Sequence, residues 1–205
     1  SIKTLSSTVP CKSDSTKNCL EVAIDEVTIT SAPTEKAAEQ IENYLREAIG
    51  KTDNSESAPK NPKAIISNLE AEYRQIVKDM PSYDLPWQHT QEYSPYLNAQ
   101  GLFGVKLNSY SFTGGAHGNA FIYYFTFDSH SGKLLKLGDL FNTKHRETFV
   151  AMAEEQFVDT REIDTSDTYE DAGYWFEDND FSLNNNFHYS RNGLEILYNP
   201  YEIAP

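Results

Sequence analysis

Residues 102–128 read LFGVKLNSYSFTGGAHGNAFIYYFTFD. Two runs rich in aromatic and aliphatic residues flank a segment with three glycines in five positions, Gly114, Gly115 and Gly118. Rings and branched side chains fit a pleated surface, so both runs predict strands, over 102–112 and 120–128. Glycine permits positive φ without steric cost, so 113–119 predicts the turn that reverses the chain between them. The next segment, SHSGK at 129–133, is a second tight turn, and 134–137 predicts a short continuation of the meander.

Upstream, residues 87–93 alternate with period two and 97–101 supply a turn. Before that the period is helical. Ile65, Ile66, Leu69, Tyr73, Ile76 and Val77 share one face of a helix over 64–80, with Asn61 as cap and Pro62 in the first turn. A second helix opens at 33–35 and is stopped by Gly50, and the polar stretch 52–62 is a loop between the two. LEVAIDEVTIT at 20–30 predicts a half-buried strand whose alternation slips near Asp25-Glu26, the signature of a bulge.

Downstream, Thr143 caps a third helix with Phe149, Met152, Ala153, Phe157 and Val158 on its apolar face. Residues 160–170 form an acidic loop, and 175–176 and 181–198 predict short strands with a hairpin turn at Asn192-Gly193. The fold class is therefore α+β, a mostly antiparallel sheet packed with about three helices. The expected organisation is an N-terminal segment, 1–19; a strand-helix-helix half, 20–92; and a β-rich half, 93–205, the parts packed as one unit.

The formal charge is −14. Such a surface repels phosphate backbones, so nucleic acid is not an expected partner, whereas a basic protein is attracted. The plain alternative is that the charge keeps the chain soluble. Cys11 and Cys19 lack the spacing of a redox or zinc motif, and they form either a disulfide or two free thiols. A disulfide implies an oxidising compartment. No apolar run is long enough to span a bilayer, and no signal peptide is present, which suits a processed export product or a trimmed chain.

Three segments are candidate sites. The turn Thr113-Gly114-Gly115-Ala116-His117-Gly118 lacks nucleotide-loop spacing and leads into a strand. Its His117 is a general base, a ligand or a residue that shapes the turn. The acidic stretch 159–181 carries Tyr169, Tyr174 and Trp175 among nine carboxylates but no EF-hand pattern, so it reads as a solvated loop and no metal is expected. In the C-terminal run, Tyr198, Pro200 and Tyr201 offer stiff amphipathic surface after a strand.

These motifs carry a resemblance. YSFTGGAHG at 110–118, SGKLLKLGDLF at 131–141, Asn192-Gly193-Leu194 and PYEIAP at 200–205 resemble an extracytoplasmic bacterial domain. It is found in the lysozyme-sensing anti-sigma factor RsiV and in the N-terminal region of the peptidoglycan deacetylase PdaC. Residues 93–205 carry the likeness, and 20–80 share only its layout. The resemblance implies a non-catalytic domain outside the cytoplasmic membrane, anchored there in the full-length precursor. It implies no catalytic residues and no cofactor, because the deacetylase's chemistry belongs to another domain whose metal motif this sequence lacks. The implied partner is a basic protein such as lysozyme, or peptidoglycan. The binding residues would be Thr113, Gly114, Gly115, His117, Tyr198, Pro200 and Tyr201. Two rival readings are an interaction lipoprotein domain with no small ligand and an envelope glycan hydrolase using His117 with carboxylates from 159–180.

Overall fold

A computed structural model describes residues 1–51, 61–164 and 166–205. The expected loop at 52–62 therefore lies, through residue 60, outside the described residues. The fold is α+β. A five-stranded sheet runs in the order β1-β2-β3-β4-β5, and β6 and β7 form a separate hairpin. The strands are β1 Ile2–Pro10, β2 Asn18–Val27, β3 Trp87–Ala99, β4 Leu102–Phe112, β5 Asn119–Asp128, β6 Phe187–Ser190 and β7 Gly193–Ile196. The helices are α1 Glu35–Lys51, α2 Pro62–Asp79 and α3 Thr143–Arg161. The chain divides into two compact units: unit 1 is Ser1–Tyr123 with Phe127–Lys133, and unit 2 is Tyr124–Thr126 with Leu134–Pro205.

In unit 1, β1 pairs antiparallel with β2, and β3 antiparallel with β4. The β2–β3 pair is parallel, Leu20 opposite Trp87 through Ile24 opposite Gln91. A parallel pair needs a long crossover, and α1 and α2 lie within it. α1 packs on β2, and α2 packs on β1 and β2. The core holds Leu20, Val22, Ile24, Ile41, Leu45, Ile65, Tyr73, Trp87, Leu107 and Phe127. Full burial of each large apolar side chain contributes about 1.5–3 kcal/mol. Two polar β3 side chains bond the helix backbone instead: Tyr93 Oη donates to the Leu45 carbonyl at 2.6 Å and Gln91 Nε2 to the Ile49 carbonyl at 3.1 Å.

β2 and β3 part company just past Ile24. Asp25 is buried, and its carboxylate accepts from Thr4 Oγ1 at 2.7 Å and from the Tyr93 N–H at 2.8 Å. The side chain thus takes a donor that a continuing ladder would have paired. Two residues further along the same edge stands Pro95, which has no N–H to leave unsatisfied. The bulge expected near Asp25-Glu26 is absent. The β1–β2 register is continuous there and shifts only between Val9 and Pro10. The apparent slip in the sequence is a buried acid followed by the strand's end at Val27.

Other boundaries also differ from the sequence reading. β1 occupies residues read as a polar leading segment. α1 runs through Gly50 to Lys51. β3 continues to Ala99, and the turn is Gln100-Gly101, both at positive φ. Residues 134–137 hold an isolated bridge at Leu134 and lead into a 3-10 turn, Leu137–Asp139. Asn142, not Thr143, caps α3, its side chain accepting from the His145 N–H at 3.0 Å. Asn61 caps α2 as expected, accepting from Ala64 at 2.9 Å. Residues 175–176 and 181–186 are not strands, and a 3-10 turn occupies Glu177–Asn179. In the β6–β7 hairpin Ser190 pairs with Gly193, so the loop is Arg191-Asn192, one residue earlier than read.

Unit 2 is organised around rings. Phe157 of α3 meets Tyr169, Tyr174, Phe176 and Phe181 at centroid distances of 4.9–6.2 Å, and Phe176 meets Tyr198 at 6.2 Å. Most of these contacts are edge-on or tilted, the geometry favoured by the ring quadrupole. Three consecutive asparagines stitch the unit together. Asn184 donates to the Leu197 carbonyl, Asn185 accepts from Leu137, and Asn186 accepts from Tyr124.

Candidate functional site

The glycine turn sits in unit 1 between β4 and β5. Thr113, Gly115 and His117 are exposed, and Gly114 is half-buried. Gly114 has φ +83°, and a Cβ there would lie 3.0–3.2 Å from Tyr83 Oη and Leu85. Both the backbone sign and the neighbours therefore call for glycine. His117 Nδ1 lies 3.2 Å from the carbonyl of Gly118. That contact uses the ring locally, as a turn-shaping residue does.

The C-terminal residues sit in unit 2. Tyr198 is half-buried, and its hydroxyl donates to the Ser182 carbonyl at 2.5 Å. Burial, with the Glu202 charge adding to it, pushes its pKa up to about 12. Residues 199–202 then form a turn closed by Glu202 N–H to the Asn199 carbonyl at 3.1 Å. Pro200 holds its second position and Tyr201, at φ 65°, its third, the pattern of a type II turn. That third position normally takes glycine, and a side chain in the left-handed region costs about 1–2 kcal/mol.

Surrounding bonds hold this strain in place. The Glu202 carboxylate accepts from Asn199 N–H at 2.8 Å and Asn184 Nδ2 at 2.6 Å. Tyr201 N–H donates to the Ala204 carbonyl at 3.1 Å, and Trp175 N–H to the Ile203 carbonyl at 2.7 Å. The outcome is a pinned turn that leaves Tyr201 56% exposed, with Trp175, 52% exposed, on the irregular segment bonded to it. Glu202, Asn184 and Trp175 were not among the expected site residues. Their roles depend on contacts between segments distant in sequence.

Unit 2 also holds most of the charge. It carries fifteen Asp and Glu against five Lys and Arg, a net −10 of the chain's −14. Several of these acids are committed to local turns. Asp164 accepts from Ser166 and Asp171 from Thr168, and these hydrogen bonds hold both carboxyls below their ordinary range.

Cys11 and Cys19 form a disulfide that joins the end of β1 to the start of β2. Among the described residues, Cys11, Cys19 and Asp84 are the one close group of side chains of metal-ligand type, and the disulfide consumes both sulfurs. These residues do not fit a metal in this state, because the thiolate is the ligand form. No described helix is long and apolar enough to cross a membrane.

Comparison with known proteins follows the two units. No curated protein sequence matches the chain. A DUF3298 family member from Bacteroides fragilis NCTC 9343 superposes with a TM-score of 0.71 at 20% identity, covering 100% of this chain and 85% of that one. A DUF3298 family protein from Pseudomonas aeruginosa PAO1 gives 0.64 at 20% identity with the same coverages. At that identity the likeness concerns the fold. Residues 138–205 match the family described as a protein of unknown function, DUF3298. Residues 13–120, more than half of the chain, match the family described as deacetylase PdaC, and the chain belongs to that family.

Proposed function

We propose that the chain is a non-catalytic recognition domain of the bacterial cell envelope, and that unit 2 captures a small basic protein of the lysozyme kind. The observation that carries this reading is Tyr201, a large ring held exposed in a strained turn within the acidic unit. Rigid exposed aromatics are the residue type on which protein interfaces concentrate their energy. Surrounding negative charge steers a cationic partner and speeds its association. The Cys11–Cys19 disulfide supports an oxidising, extracytoplasmic setting.

The family description names a deacetylase, and the same reading assigns this chain no such activity. Amide hydrolysis needs a base or a metal-bound water aimed at the acyl carbon. His117, the histidine of the turn, contacts the carbonyl of its own neighbour. The test is calorimetry of the full chain with lysozyme and with soluble peptidoglycan fragments at low and physiological salt. Lysozyme should bind, and its affinity should fall steeply as salt shortens the screening length to about 8 Å. Tyr201→Ala and Trp175→Ala should each weaken binding by about tenfold or more. Absence of lysozyme binding at low salt overturns the partner, and acetate release from an N-acetylated glycan overturns the non-catalytic assignment.

A further inference from the structure

The parting of β2 and β3 leaves a groove in unit 1. Its cavity volume is about 240 Å3, just under the roughly 300–1,000 Å3 of clefts that hold drug-sized ligands, and leaves room for a sugar unit or two. Its walls come from the end of β2 and the residues that follow, from β3 beyond Asp25's reach, and from the start of β4. Ile2, Pro95 and Phe103 supply apolar surface, and Thr28, Thr30 and Asn98 supply hydroxyl and amide groups. Every lining side chain is uncharged, in a chain with 31 acidic and 17 basic residues. The α-ammonium of Ser1 is engaged by the Thr28 carbonyl at 2.5 Å.

Two occupants suit a cleft between strands: an added peptide strand, or a small molecule read by side chains. Strand addition needs main-chain donors on the walls. Here those of Thr28 and Ile29 are spent, as is that of Tyr93 where the strands part. Thr28 N–H donates to the Ser1 carbonyl at 2.8 Å, Ile29 N–H to Glu42 Oε1 at 2.6 Å and Tyr93 N–H to Asp25 at 2.8 Å, and Pro95 has none. Recognition is left to hydroxyls, an amide and a ring. A sugar presents that complement: neutral hydroxyls around its rim and a C–H face that lies against apolar surface. A charged ligand would meet no counter-charge from any lining side chain and would lose hydration that these walls repay poorly.

We propose that this groove binds an uncharged carbohydrate. The site lies in unit 1, and the proposal does not rest on the protein-capture reading of unit 2. The test is a two-dimensional amide NMR titration of the full chain with cellobiose, N,N′-diacetylchitobiose and an uncharged Thr-Val hexapeptide. At least one of the sugars should shift the amides of Thr28, Thr30, Asn98 and Phe103, with a dissociation constant of about 0.1–1 mM, as expected for an open cleft. Asn98→Ala and Thr30→Ala change exposed residues, so the fold should persist, and together they should weaken sugar binding at least about tenfold. Shifts by neither sugar, shifts by the peptide alone, or sugar affinity unchanged in the double variant would overturn the proposal. Lysozyme binding in the same variant should be unchanged, so the two functional readings fail separately.

Discussion

At the scale of single residues, Asp25 does the work of a strand. Its carboxylate binds Thr4 and the Tyr93 N–H and lets β2 and β3 separate without an orphaned donor. Removing it leaves the buried Tyr93 N–H unpaired, while exposed Thr4 can turn to water, so Asp25→Ala should cost about 2 kcal/mol in urea unfolding, and Asp25→Asn, which keeps one acceptor oxygen, about half of that. Tyr198 is the second case. Its pKa is about 12 in the folded chain against an ordinary 10.0. The folded value is the higher, so the associated stability is whole below pH 10 and is lost as pH rises through 12. An alkaline unfolding limb over that window should shrink in Tyr198→Phe, read by circular dichroism beside tyrosinate absorbance. That variant also forfeits the bond to Ser182.

Among the elements, β4 and β5 were legible because runs rich in aromatic and aliphatic residues flank a glycine turn, and both signals are local. α2 was legible for the same reason, since Asn61 and Pro62 mark its start in adjacent positions. β1 was not. Its residues, IKTLSSTVP, are mostly exposed and half of them polar, and only pairing with β2 makes such a run a strand. The expected sites were legible as segments and not as geometry. Tyr201 was visible as a ring near prolines, but its positive φ is held by a Glu202 clamp that depends on Asn184, 18 residues away. The groove was invisible, because no local pattern announces that two strands will separate. α3 has no buried residue, whereas α1 buries Ala37, Ile41, Leu45, Ala48 and Ile49. Few buried contacts mean a low local opening free energy. Hydrogen exchange should therefore be faster across α3 than across α1, and equal protection would contradict that.

Across the whole molecule, charge and chemistry are divided between the units. Unit 2 carries net −10, leaving unit 1 only −4 of the chain's −14. The acidic unit is suited to partners met through long-range attraction, and the nearly neutral one to partners met at contact. One covalent feature bears on how the domain endures proteolysis. The Cys11–Cys19 bond spans residues 12–18, which are mostly exposed, while both sulfurs belong to buried residues. A peptidase that nicks this tip releases nothing. The severed N-terminal piece stays stapled to its neighbour, and only a thiol reductant able to reach the interior sets it loose.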